Sequence, residues 1–337
     1  MAPAAKKNIL SDEYNWPNFG NQPVVDFLTK AINQGQAAQS YIFAGPKHLG
    51  KSRIAKCFAR NILLHDSHSS EELADLSPEK LVLTGDVHIV SRLEEKRGIS
   101  IEQIRELIKS LEMSAFGNSY KIGLIDEAET MSLEAMNALL KILEEPREKV
   151  ILILITSNLE SLPKTIVSRA QLLNFYPVPS DIIQDYLVSD YSASAVQAKN
   201  VAHLALGRPA LAVKFLEDND FYENYLTQAK LFLTFSLSSP LERFAKFNEL
   251  GKQDFASAQS ILNSWEAVAR DLLLINSGQV DLIRHQVIRQ ELVAWARRWP
   301  EKSINSLLGN LRQAKFYLQG NVQPQAVFEY LFSFNFN

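Results

Sequence analysis

The sequence is poor in cysteine and in long apolar runs, and each shortage excludes a class of protein. Cys57 is its only cysteine, which rules out an internal disulfide framework and a zinc site built from cysteines. The longest unbroken apolar run, VILILI at positions 150–155, is too short to span a bilayer. The N-terminal stretch MAPAAKKNILSDEY lacks the apolar core of a signal peptide. We therefore expect a soluble, cytoplasmic protein with no membrane partner.

The sequence also has almost no excess of either charge. Lys and Arg number 35 against 38 Asp and Glu, which makes the formal charge −3 over 337 residues. Strong stand-alone nucleic-acid binders need clustered Lys and Arg to displace counterions from phosphates. The charge balance argues against that class for the chain as a whole, although a local basic surface stays open.

One short stretch, AGPKHLGKS at 44–52, has the pattern of a phosphate-binding loop. It matches G-x-x-x-x-G-K-[ST], and the matched residues are Gly45, Gly50, Lys51 and Ser52. The glycines let backbone N–H groups face phosphate oxygens, the lysine reaches the outer phosphates and the serine hydroxyl binds Mg²⁺. SYIFAG predicts a buried strand before the loop, and KSRIAKCFARNILL predicts a helix after it. This context supports the motif, because phosphates bind where a helix N-terminus presents free N–H groups.

A second informative stretch is YKIGLIDEAETMS, residues 120–132. It predicts a strand over 122–125 that ends at Asp126 and Glu127. A carboxylate at the end of a strand neighbouring the phosphate-loop strand can position magnesium, and the next one can polarise a water. A strand that simply stops at an acidic turn is common, but the preceding phosphate loop favours the functional interpretation.

The rest of the chain predicts two different architectures. KVILILITSN, residues 149–158, is typical of a parallel strand covered on both faces. Its end carries polar residues where ligands bind in open α/β sheets, namely Thr156, Ser157 and Asn158. QLLNFYPV predicts a last strand, and from residue 180 onward the pattern is helical with breaks at 205–209, 236–240, 276–279 and 298–301. We expect an α/β nucleotide module followed by an all-helical remainder.

Two of the predicted helices have recognisable signals. Ser100 and Gln103 have the spacing of a capping box. In SLEAMNALLKILEE, helical spacing predicts one apolar stripe, made of Leu133, Met136, Leu140 and Leu143.

Two further patterns have competing interpretations. His65 and His68 have the spacing of a metal-site corner, but two histidines without other ligands are more often solvated loop residues. VIRQELVAWARRW, residues 287–299, combines arginine with tryptophan and suggests DNA contact. Helical spacing places Val293 and the tryptophans largely on one side, which favours core packing with a solvated basic edge.

Taken together, these motifs resemble the AAA+ modules of bacterial clamp loaders, and most closely the delta-prime family of DNA polymerase III subunits. The resemblance runs nearly end to end and includes NWPNFGNQ, GDVHIV, ISIEQIREL, LITSNLESLPKTIVSRAQLLNF and NVQPQAVFEYLF. It implies an α/β P-loop AAA+ module, a parallel sheet flanked by helices, followed by a small helical lid and an all-helical collar that holds the oligomer. The implied boundaries are 1–178, 179–220 and 221–337.

The resemblance also implies a role for each matching residue. Walker A, the ATP-binding loop, is formed by Gly45, Gly50, Lys51 and Ser52, and Walker B is formed by Asp126 and Glu127. Mg²⁺ is held by Ser52 and Asp126 through the nucleotide. Asn158, with Thr156 nearby, falls at the sensor 1 position. SRA at 168–170 matches the family's SRC, which makes Arg169 an arginine finger acting on a neighbouring subunit's ATP.

Three departures from the family pattern matter. Ala170 replaces the SRC cysteine, which leaves the charge of the finger unchanged. The four-cysteine zinc module is absent, because residues 65–85 contain no cysteine, and no zinc is expected. The sensor 2 arginine, three residues past a glycine, is replaced by Ala210, and Arg208 is about half a turn away from that position. ATP binding with poor hydrolysis is the expected consequence.

The implied function is that of a clamp-loader subunit that helps ATP-driven loading of the sliding clamp onto primed DNA. Its implied partners are the gamma/tau and delta subunits, the clamp and primed DNA. One alternative is a gamma/tau-type ATPase, against which the missing zinc cysteines, the missing sensor 2 arginine and the absence of tau's long extension all count. Two others are a free-standing DNA-stimulated P-loop ATPase and a scaffold that never binds nucleotide.

Overall fold

A computed structural model describes the chain over residues 14–66, 85–93, 96, 98–113, 120–145, 147–235 and 240–332. The chain divides into two compact units. One unit, called here the α/β unit, comprises Met1–Tyr186 and Arg208–Ala210. The other, called the helical unit, comprises Leu187–Gly207 and Leu211–Asn337. The finer boundaries expected at 178 and 220 stay a prediction.

The α/β unit is built on one five-stranded sheet in which every strand pair is parallel. Its strands are β1 (Ser40–Ala44), β2 (Val87–Val90), β3 (Lys121–Ile125), β4 (Val150–Thr156) and β5 (Gln171–Asn174). The spatial order is β2-β3-β4-β1-β5. The central strands β1, β3 and β4 are buried along their whole length, as continuous apolar runs predict for strands covered on both faces.

Two features of the sheet differ from expectation. The sequence pattern does not predict β2, a four-residue edge strand of which only Val87 is buried. The expectation that β3 neighbours the phosphate-loop strand is wrong, because β4 pairs with both β1 and β3. The carboxyl ends of these strands still meet at one edge of the sheet, because parallel strands all end on the same side. Ala44 pairs with Thr156, and Ile125 pairs with Leu154.

Helices flank the sheet, and local signals explain where they start. They are α1 (Gln22–Asn33), α2 (Lys51–Asp66), α3 (Ile101–Glu112), α4 (Leu133–Glu144) and α5 (Lys164–Val167), and α6 (Ser180–Tyr191) begins in this unit. The capping box of Ser100 and Gln103 at the start of α3 is confirmed. At the start of α4, Ser132 Oγ accepts from Ala135 N at 3.2 Å.

The apolar stripe predicted on α4 is only partly correct. Its buried residues are Ala135, Met136, Leu139 and Leu143. Leu133 is 65% exposed and Leu140 is half-buried. The face that packs on the core is therefore rotated from the predicted one, and it contains Ala135 and Leu139 in place of Leu133 and Leu140.

The helical unit contains no strand among its described residues, as expected. Helix α6 ends in it, and its further helices are α7 (Ala195–Ala205), α8 (Pro209–Glu217, beginning in the α/β unit), α9 (Asn219–Phe235), α10 (Pro240–Gly251), α11 (Phe255–Asn276), α12 (Arg289–Ala296), α13 (Glu301–Gln319) and α14 (Pro324–Phe332). Fully buried Trp265, with Phe247 and Phe328 in contact, marks the core. Trp295 and Trp299 pack against that core, which supports core packing over DNA contact for residues 287–299. In the part of the chain that the structure describes, no helix is long and apolar enough to cross a membrane.

Candidate nucleotide-binding site

The loop between β1 and α2 has a backbone that glycine alone accommodates at two positions. Gly45 has φ +146° and Gly50 has φ +83°, a region that side chains with a Cβ rarely adopt. A Cβ on Gly45 would lie 2.4 Å from Phe175 O, and one on Gly50 would lie 2.4 Å from the Phe19 ring. Phe19 is only 2% exposed, so its ring is packed on all sides and cannot move away from such a Cβ. The two glycines of the sequence motif thus let the loop pass close to its neighbours.

A cavity of about 500 Å³ opens beside this loop, at the carboxyl edge of the sheet. Eight residues that the sequence singled out line it: Gly50, Lys51, Ser52, Asp126, Glu127, Thr156, Ser157 and Ala210. The sequence assigned no role to the other lining residues, which are Lys47, His48, Arg53, Lys56, Ser91, Glu129 and Ile155. Asp126, which directly follows β3, and Ser52, in the first turn of α2, therefore reach one cavity although β4 lies between β1 and β3.

Lys51 is held inside the loop. Its side chain donates to Gly45 O at 2.6 Å and to Pro46 O at 2.7 Å, and the residue is 6% exposed. Burial lowers the pKa of Lys51 to about 8, although the nearby carboxylates of Asp126 and Glu129 act in the opposite direction. A phosphate anion would favour the charged ammonium, so this lysine is suited to respond to a bound nucleotide.

Glu127 is tied to two cations. Lys47 Nζ lies 2.5 Å from Glu127 Oε1, and Arg92 Nε lies 3.2 Å from Oε2. The Lys47 hydrogen bond, together with Arg92, lowers the pKa of the Glu127 carboxyl. Glu127 also has a left-handed backbone, with φ +53°. The carboxylate is thus ionised, but both of its oxygens already accept from this chain's own side chains.

Asp126 is oriented by backbone contacts. Its N–H donates to Val90 O at 2.9 Å, and its Oδ1 accepts from Glu127 N at 2.9 Å. Among the described residues, no group of three or more His, Cys, Asp and Glu side chains has the arrangement of a metal site. A magnesium ion at Ser52 and Asp126 would therefore need phosphate and water oxygens to complete its shell, which is how Mg²⁺ is usually bound with nucleotides.

The end of β4 brings Thr156 and Ser157 to the cavity, and it does not bring Asn158 there. Asn158 contacts Thr156 through its backbone: Thr156 Oγ1 donates to Asn158 O at 3.0 Å and accepts from Asn158 N at 3.0 Å. Ser157 donates from both Oγ and N to the Glu129 carboxylate. The Ser157–Glu129 pair is a feature that sequence reasoning missed, although both residues lie in stretches it had marked.

The position expected for the sensor 2 arginine does reach the cavity. Ala210 is one of its lining residues, and Ala210 N donates to His48 O at 3.0 Å. Arg208 is not among the lining residues. A methyl group therefore stands where the motif would place a guanidinium.

Arg169 lies outside the cavity. Its side chain is 35% exposed, and Nη2 lies 2.9 Å from Glu144 Oε1. Of the two histidines considered as a metal corner, His65 approaches the Tyr14 hydroxyl with Nδ1 at 3.2 Å, and His68 lies outside the described residues.

Comparisons with known proteins show which proteins this chain is similar to. A family model described as "DNA polymerase III, delta subunit" matches residues 20–179. The DNA polymerase III subunit delta' of Bacillus subtilis (strain 168) is 26% identical over 322 residues, which cover 91% of this chain and 94% of that protein. The subunit tau of the same organism is 30% identical over 164 residues, 49% of this chain and 29% of tau.

Among solved structures, a gamma subunit-related protein of Thermotoga maritima covers 91% of this chain and 97% of its own, with 17% identity and a TM-score of 0.49. This chain thus spans less than a third of the tau relative and nearly the whole of the delta' relative. This chain is similar to the delta' and tau subunits of bacterial DNA polymerase III, and the delta' relative aligns along almost its entire length.

Proposed function

We propose that this chain is a delta'-type clamp-loader subunit that binds nucleotide, hydrolyses it slowly and presents Arg169 to the ATP site of a neighbouring subunit. Its partners would be the gamma/tau and delta subunits, and through them the sliding clamp and primed DNA. The alignment with subunit delta' over 94% of that protein supports this assignment.

The cavity residues suit MgATP. The N–H groups at the start of α2 and the ammonium of Lys51 would hold the phosphates, and Ser52 with Asp126 would hold Mg²⁺. Gly50 lets the loop backbone pack against the Phe19 ring, where a Cβ would clash. MgATP bound here would supply a phosphoanhydride bond for hydrolysis.

Slow hydrolysis is proposed because two requirements for turnover are poorly met in the cavity. Glu127 would have to orient a water, yet Lys47 and Arg92 each hold one of its oxygens and compete with that water. Ala210 offers no charge at the lid position. A charge-assisted contact of that kind contributes about 1.5–3 kcal/mol, which is enough to slow turnover without preventing binding.

The exposure of Arg169 is the observation that best supports its action on a neighbouring subunit's nucleotide. An arginine acting on its own nucleotide would line its own cavity, and Arg169 does not. Its partly exposed guanidinium is available to an anionic group of another subunit. Arginine fingers contribute factors of roughly a thousand or more to phosphoryl transfer.

The test is the ATPase activity of a reconstituted loader, stimulated by clamp and primed DNA, with Arg169→Ala beside Lys51→Ala. We expect Arg169→Ala to reduce turnover severely and Lys51→Ala to reduce it little. Greater damage from Lys51→Ala would favour a gamma/tau-type ATPase, which the intact phosphate loop keeps open as the second candidate. Strong DNA-stimulated turnover by the purified chain alone would instead favour a free-standing ATPase.

A further inference from the structure

The guanidinium of Arg169 is tied to two different helices of its own chain. Nη1 donates to Thr165 O in α5 at 2.8 Å, and Nη2 forms an ion pair with Glu144, the last residue of α4, at 2.9 Å. Helices α4 and α5 contact each other. The two contacts therefore fix the side chain relative to a packed pair of helices.

The backbone around Arg169 is also anchored. Val167 and Ala170, on either side of it, pack against the hydrophobic core beside the sheet, and Arg169 N donates to Ile166 O at 3.1 Å. With the backbone held, the freedom that remains at Arg169 is that of its long side chain. Ordering such a side chain has a large entropic cost. The contacts to Thr165 and Glu144 reduce the conformational entropy that Arg169 would still lose on binding.

Fold stability gives no reason for a glutamate at position 144. A carboxylate at the C-terminal end of a helix opposes the helix dipole. The Glu144 side chain is 51% exposed, so it gains little from burial, and exposed ion pairs contribute little to stability. Orientation of Arg169 is what the Glu144 contact does achieve.

We infer that Glu144 is a positioning residue for Arg169, holding the guanidinium ready for a phosphoryl group of the neighbouring subunit's nucleotide. The inference rests on the proposed function. Arginine has five N–H donors in a rigid plane; Thr165 and Glu144 each engage one, and the others stay available to an anion. Small displacements of a group that acts on a transition state have large effects on rate.

The test compares Glu144→Gln with Glu145→Gln in the reconstituted loader. Glu145 is the adjacent exposed carboxylate, one residue past α4, so its replacement removes the same charge from the same helix end. We expect Glu144→Gln to lower kcat about two- to fivefold, the range that exposed ion pairs correspond to, with subunit assembly unchanged. Glu145→Gln should leave kcat as it is.

A second measurement does not depend on turnover. The dissociation rate of a fluorescent, non-hydrolysable ATP analogue from the neighbouring subunit should rise for Glu144→Gln by a similar factor. In an Arg169→Ala background, Glu144→Gln should have no further effect on either quantity, because coupled residues are not additive. An effect of equal size in that background would overturn the inference, since Glu144 would then be acting on something other than Arg169.

Failure of this inference is distinguishable from failure of the proposed function. If Arg169→Ala reduces turnover while Glu144→Gln matches Glu145→Gln, the positioning role is wrong and the role of Arg169 stands. If Arg169→Ala itself leaves turnover unchanged, the proposed role in trans is wrong and the inference about Glu144 falls with it.

Discussion

The α/β unit and the helical unit each contain a cluster of titratable residues, and the two clusters are built in opposite ways. In the α/β unit, Lys51 and its carboxylate neighbours surround a cavity of about 500 Å³. In the helical unit, Asp271 and His285 are completely buried. His285 Nδ1 lies 2.7 Å from Asp271 Oδ2, and the Tyr225 hydroxyl lies 3.0 Å from Nε2.

The cluster of Asp271, His285 and Tyr225, called here the sealed cluster, makes its hydrogen bonds within its own chain. Asp271 also accepts from the backbone N–H groups of Arg284, at 2.9 Å, and of His285, at 2.8 Å. The pattern fits a neutral imidazole that donates from Nδ1 and accepts at Nε2, and burial lowers the pKa of His285. Clustering of titratable groups alone therefore does not mark a functional site. The cluster around Lys51, called here the open cluster, differs from the sealed cluster because it has access to a cavity and has donors that face that cavity.

The largest expected effect belongs to the sealed cluster. Asp271→Ala would leave three N–H donors buried without an acceptor, and removing one partner of a buried pair costs about 3–5 kcal/mol of unfolding free energy. Urea denaturation measures this loss, and Asp281→Ala, at a carboxylate 95% exposed, is the matched control with no measurable change expected. A fully stable Asp271→Ala protein would show that the cluster does not hold the helical unit together.

In the open cluster, the largest effect is expected from Gly50→Ala. The positive φ and the Phe19 ring 2.4 Å from the new Cβ should together cost about 2–4 kcal/mol of stability and abolish nucleotide binding. Gly35→Ala is the control, because Gly35 has φ +60° with nothing within 4 Å of its Cβ. Gly35→Ala should cost only about 1 kcal/mol, and nucleotide titration should match the parent protein. Equal losses from both variants would mean that the Phe19 contact is irrelevant.

A smaller effect, on binding alone, is expected from Lys51→Ala. Loss of a charge-assisted contact to phosphate should weaken ATP affinity of the isolated chain about 10- to 150-fold. Isothermal titration calorimetry of Lys51→Ala beside Arg169→Ala measures this difference. Arg169→Ala should bind ATP like the parent protein, because Arg169 is outside the cavity; weaker binding by Arg169→Ala would contradict a role in trans.

The smallest expected effects are pH dependences. ATP affinity should fall at high pH because of Lys51 in the open cluster, and stability should fall at low pH because of His285 in the sealed cluster. Phosphate binding favours the charged form of Lys51, whose pKa is lowered by burial to about 8, so ATP affinity should fall about fivefold between pH 8 and pH 9. Lys51→Arg keeps its charge and should show no such fall. The measurement is ATP affinity against pH. An affinity that does not change between pH 8 and pH 9 in the unsubstituted protein would contradict the lowered pKa of Lys51.

For the sealed cluster the sign is reversed. In the unfolded chain His285 takes up a proton near the ordinary histidine pKa of 6.5, whereas burial in the folded chain lowers the pKa of His285. The unfolded state therefore binds more protons as the pH falls below about 6.5, and the free energy of unfolding decreases there. Denaturation curves against pH should show this decrease, and His285→Gln should reduce it.

Much of the site was predictable because it depends on short-range pattern. The phosphate loop needs glycine where the backbone has positive φ, and a strand and a helix around it, all of which adjacent residues encode. The missed features depend on distant residues. Arg92 meets Glu127 only after β2 and β3 have paired, and β2 itself is a short edge strand without a continuous apolar run. Lys47 meets Glu127 only after β4 has joined β1 and β3 in one sheet.

The sequence by itself determined the kinds of element, the phosphate loop, the change from α/β to helical structure and the absence of a guanidinium at position 210, because these follow from local periodicity, backbone conformation and residue identity. Only the tertiary structure decided the strand order, the placing of Thr156 and Ser157 rather than Asn158 at the cavity, and the ion pair of Arg169 with Glu144. Such contacts depend on crossover connections and on the packing of residues far apart in the chain, and no local pattern specifies them.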